Sequence, residues 1–90
     1  MSISIKIVSN NEYEVTVKSK TVTTHLVTLS DEVHEKLTKE KVTKKELLDF
    51  SFKFLLDREP NASILSFFEL TVISRYFSDY EKSVKKWCSS

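Results

Sequence analysis

Two short stretches of this chain gather the side chains most able to do chemistry. Asp57-Arg58-Glu59-Pro60-Asn61 concentrates polar groups at one point, and Arg75-Tyr76 offers a second pair further on. A carboxyl group such as Glu59 works as a general acid or base when a neighbouring charge sets its protonation, and Arg58 or Arg75 would be that neighbour. A hydrolytic site would also need a second carboxylate, a nucleophile with its base, or an oxyanion-stabilising motif, and none accompanies Glu59. The same residues read equally as ion pairs and hydrogen bonds that close a helix end and fix a turn. That reading is preferred, so no catalytic residue is assigned and an enzyme is not expected.

The other candidates are sparser. His25 and His34 fall in different elements, with no cysteine or carboxylate at ligand spacing, so no metal is expected. Cys88 is the single cysteine and has no partner for an internal disulfide, which fits a reducing compartment. No motif places a base beside it, so it reads as an incidental thiol rather than a nucleophile. The chain has no glycine at all. Phosphate-cradling loops and dinucleotide fingerprints need glycine for close backbone approach and positive φ, so both nucleotide-binding classes are excluded and no cofactor is expected.

Ninety residues hold one core, so residues 1–90 are read as a single domain. The net charge is +1, and residues 31–46 intersperse five lysines with five acidic side chains. A basic footprint is missing, and nucleic acid is therefore a possible but unfavoured partner. Residues 2–6 alternate apolar and polar instead of forming the apolar run of a signal peptide, and no stretch approaches the roughly 20 apolar residues of a membrane span. A cytoplasmic protein without a membrane association is expected.

The elements that must position these residues follow from periodicity. Ile3, Ile5 and Ile7, then Tyr13, Val15 and Val17, recur with the period of two of half-covered strands. Ser9-Asn10-Asn11-Glu12 between them is a turn in which asparagine can adopt the left-handed conformation. Val22 to Leu29 is a third strand, apolar on both faces toward its end, and the one with more neighbours. The fold class is thus α+β: a three-stranded antiparallel meander over residues 1–29, followed by four or five helices over 30–90.

Ser30 caps a first helix with Val33 and Leu37 inside. Thr43 with Glu46 forms a capping box, and Val42 with Leu47 the accompanying staple, opening a helix that runs to about Glu59 and stops at Pro60. On that helix Leu47, Leu48, Phe50, Phe52, Phe54, Leu55 and Leu56 fill an arc of roughly 240°, leaving Asp49, Lys53 and Asp57 to water. So wide an arc is central to the fold or covered by another subunit, which makes a protein partner, a second copy above all, the expected partner. Phe50, Phe54, Arg58, Glu59, Asn61 and Arg75 are the candidate binding residues. Beyond Pro60, Asn61 or Ser63 caps a turn over Ile64–Phe68, Thr71 caps Val72–Phe77, and Ser78 with Glu81 opens a last helix with Tyr80, Val84 and Trp87 on one stripe. Phe67, Phe68, Tyr76 and Phe77 follow helical spacing beside leucines and isoleucines and read as core, not as a base-stacking platform.

Three resemblances overlie this reading. The stretches SFKFLLDREPNASIL and VISRYF are similar to a family of small prokaryotic proteins without an assigned activity, which implies a cytoplasmic prokaryotic origin and brings no functional residue with it. THLVTLSDEVHEKL followed by TKKELLDFSFKFLLDRE, residues 23–59, resembles a ribbon-helix-helix DNA-binding unit, whose strand pairs with its dimer mate in the major groove. Here threonines and His25 stand where that family usually has Arg, Lys, Asn or Gln as readers. FFELTVISRYFSDYEKSVKK resembles a helix-turn-helix, with no glycine in its turn.

Overall fold

Alternating side chains make strands only where one face can be covered, and the first third of the chain meets that condition. The computed structural model describes residues 2–89. β1 (Ser2–Ile7), β2 (Glu12–Lys18) and β3 (Val22–Thr28) form an antiparallel meander. Tyr13, Val15 and Val17 of β2 and His25 and Val27 of β3 turn to one face and are buried. Their alternates, among them Glu14, Thr16, Thr24 and Leu26, are half-buried or exposed, so the second face of the sheet is open. The β1–β2 turn is built without left-handed asparagine: the described residues with positive φ are Lys39 and Glu40.

The helical half begins as its capping residues dictate. Ser30 Oγ accepts the Val33 amide at the start of α1 (Asp31–Thr38), and Lys39, left-handed at φ 52°, returns its N–H to Glu35 O at the end. α2 (Lys44–Leu56) opens on the complete capping box: Thr43 N donates to Glu46 Oε1 at 2.9 Å, and Glu46 N to Thr43 Oγ1 at 3.1 Å. The helix ends at Leu56, earlier than the proline alone requires, where Arg58 N tightens the last turn by an i→i−3 bond to Leu55 O.

The main correction lies after Pro60. A 3-10 turn (Asn61–Ser63) is followed not by a helix over Ile64–Phe68 but by β4 (Phe67–Glu69), parallel to β3, so the sheet is four-stranded and mixed in the order β1-β2-β3-β4. The reason is competition. A helix of five residues is marginal by itself, whereas β3 has an unused edge that Leu26 N–H and Thr28 C=O satisfy with Ser66 O at 2.8 Å and Leu70 N at 3.0 Å. Phe68 and Leu70, two apart, are buried with it while Phe67 and Glu69 point out. β3, the strand of the ribbon-helix-helix resemblance, therefore has both edges occupied.

α3 (Val72–Tyr76) and α4 (Tyr80–Ser89) complete the chain. The turn before α4 carries no Ser78–Glu81 bond among the described residues; the first α4 bond runs from Ser83 N to Asp79 O. Tyr80 and Val84 are fully buried, and Trp87 packs at the edge of the core formed by β2, β3, α2 and α4. Among the described residues no helix is long and apolar enough to cross a membrane.

Candidate functional site

The helix end that gathers polar residues is held by its own chain. Arg58 Nη1 donates to Phe54 O at 3.0 Å, Nη2 reaches Asp79 Oδ2 at 2.8 Å, and the guanidinium lies 3.5 Å from the centre of the Phe54 ring. Phe54 is buried and meets Phe77 and Tyr80 edge-on, at 5.8 and 5.3 Å. Phe50 stacks on Trp87 at 4.5 Å, rings 17° apart. The apolar arc of α2 thus packs against the sheet, through Phe52 with His25 and Phe68, and against Phe77 and α4 of the same molecule. Total exposed surface, 5716 Å², is close to the roughly 5,400 Å² expected of a folded monomer of this mass.

Ser51, inside that arc, makes room for a buried hydroxyl pair. Its Oγ donates to Leu47 O at 2.7 Å and lies 2.6 Å from the Tyr80 hydroxyl, which can then donate to it. Burial holds the Tyr80 phenol protonated far above its ordinary range, against a smaller opposing effect of the Ser51 bond.

Asn61 is also an interior group. Its amide donates to Thr21 O at 3.1 Å and to Thr23 Oγ1 at 3.0 Å. Thr23 Oγ1 lies 2.8 Å from His25 Nε2, and His25 Nδ1 lies 2.7 Å from Leu65 O. A carbonyl only accepts, so Nδ1 carries the proton, and Nε2 is free to accept from the threonine. The relay ties the β2–β3 turn to the 3-10 turn and to the segment that feeds β4.

Glu59 and Arg75 remain. Neither side chain makes a hydrogen bond or ion pair among the described residues. Glu59 borders a groove of about 380 Å³ floored by Leu55, Ile64, Phe68 and Ile73, with Leu65, Val72 and Tyr76 along its rim. Arg75 is exposed on α3; at about 100° per residue it stands roughly 60° from Val72, on the flank of that rim.

Large apolar side chains are exposed at the rim of this groove and on the adjoining edge strand. Leu65, Phe67 and Tyr76 are 48%, 66% and 70% exposed. In a parallel ladder alternate residues bond to the neighbouring strand. Since Ser66 C=O and Leu70 N–H both face β3, Phe67 and Glu69 turn their backbone groups to the open edge beside this patch. The helical spacing predicts Phe67 and Tyr76 in the core, whereas both are exposed. The one available signal was the two-residue spacing of Phe68 and Leu70, which puts Phe67 on the opposite side.

The groove's polar side chains are Glu59, Ser63 and Tyr76, and no histidine or cysteine borders it. Among the described residues no group of three or more His, Cys, Asp or Glu side chains could hold a metal ion. Compared with protein-family models, curated proteins and solved structures, the chain matches none.

Proposed function

We propose that this chain is a non-enzymatic protein-interaction module of the cytoplasm that engages its partner through the flank formed by β4, α3 and the end of α2. The observation that carries the reading is an apolar groove rimmed by exposed Leu65 and Tyr76, beside the edge strand β4, whose Phe67 is exposed on the other face of the sheet. Exposed apolar patches mark binding surfaces, and an open strand edge is a template on which another chain can pair. The lone cysteine, Cys88, fits a reducing compartment.

Site-specific photo-crosslinking in cells tests this. A photoreactive side chain at Leu65, Phe67 or Tyr76 is expected to capture protein, and one at Lys6 or Lys85, on other surfaces, is expected not to. Equal capture at all five positions, or none at the three apolar ones, contradicts the proposal.

A further inference from the structure

We infer that the partner at this flank is a second copy of the chain, bound across a two-fold axis with Tyr76 of each copy seated in the other's groove and Arg75 of each facing the other's Glu59. The inference rests on the interaction-module reading and adds to it the identity of the occupant.

A two-fold contact uses the same patch twice, so the patch must carry both halves of every complement. This one does. Tyr76, 70% exposed at the rim, is a protruding ring, and the apolar floor beside it is a receptor for one. Glu59 is an unneutralised carboxylate at the border of that floor, and Arg75, next to Tyr76 in the chain, is a cation with no acidic partner among the described residues. Two cations near the end of α2 are committed within the chain: Arg58 to Asp79, and Lys53 to Asp49 at 2.9 Å. Within one molecule the ring does not fill the groove and the two charges do not meet. Rotation of a second copy about an axis beside α3 satisfies ring, groove, anion and cation together. Because the chain already covers its own core, the contact is a reversible one between folded monomers.

The design of the test follows from the symmetry. Glu59→Arg alone or Arg75→Glu alone puts like charges opposite each other twice in the dimer, so each variant should self-associate at least about tenfold more weakly than the parent. Mixed one to one, the two variants present opposite charges at both contacts and should form a heterodimer, read by sedimentation velocity with one variant fluorescently labelled. Tyr76→Ala should weaken both the parent dimer and the mixed one. All three positions are on the surface, and unchanged thermal unfolding of each variant confirms that the fold is intact. Failure of the mixture to associate, or single variants that associate as the parent does, overturns the two-fold arrangement. A parent chain that is monomeric at every concentration overturns the second copy as partner; capture of a different protein at Tyr76 in that case would leave the interaction reading standing, and absence of any capture would remove both.

Discussion

The two flanks of α2 are opposites. On the side toward α4, Phe50, Phe54 and Arg58 form the richest cluster of aromatic and charged groups in the chain, and a furrow of about 620 Å³ runs beside them. Yet Phe50 already stacks on Trp87 and Phe54 meets Phe77 and Tyr80 edge-on, and its walls carry Lys53, Asp57 and Lys86. On the side toward α3 and β4 the groove is smaller, about 380 Å³, but its floor is apolar and Leu65 and Tyr76 at its rim are exposed. A surplus of apolar residues on one helix is therefore no sign of an interface until the short elements that follow have been placed against it. What remains open is the surface those short elements cannot cover for one another.

Substitutions that separate fold from association sharpen this contrast. Phe54→Ala should have the largest effect on stability, about 3–5 kcal/mol in urea unfolding, since a buried ring contacting Phe77, Tyr80 and Arg58 is removed. Loss of less than 1 kcal/mol would mean that the α4 side is loosely packed and the contrast false. Asn61→Ala should cost about 1–3 kcal/mol by removing the amide that donates to Thr23 Oγ1 and that shares Thr21 C=O with the Ser19 N–H, with faster hydrogen exchange in the β2–β3 turn as its local signature.

Tyr80→Phe should cost about 1 kcal/mol at neutral pH and also change the alkaline response. The folded chain holds the Tyr80 proton more tightly than the unfolded chain, whose phenol titrates at its ordinary value of 10.0. The stability it contributes is thus complete below pH 10 and declines as pH rises beyond it. In Tyr80→Phe that part of the decline should vanish, and an unaltered alkaline slope would show that the phenol is not buried as described. The smallest effect on the fold belongs to Tyr76→Ser, within about 0.5 kcal/mol, although it should be the most damaging to self-association. A large loss of stability there would make Tyr76 part of the core.

The strands of the meander and the start of α2 were legible because each is specified locally. Ile3, Ile5 and Ile7 keep a period of two, and Thr43 with Glu46 satisfies two orphan amides within one turn. β4 was not legible, because its three residues become a strand only when the free edge of β3 returns beside them after two intervening helices. Of the candidate site residues, Glu59 and Arg75 lie on the open flank, whereas Phe50, Phe54, Arg58 and Asn61 are held by partners within the chain. Those partners, Trp87, Phe77, Asp79 and Thr23, are distant in sequence, so periodicity around α2 carried no trace of them.

The central claim is that molecules of this chain meet through the α3–β4 flank and not through the aromatic stripe of α2. Backbone hydrogen exchange followed as a function of protein concentration tests it most directly. The account predicts that protection rises with concentration over residues 64–77 while that of residues 50–57 and 83–87 stays constant; a gain confined to the latter two segments, or no change anywhere, would contradict it.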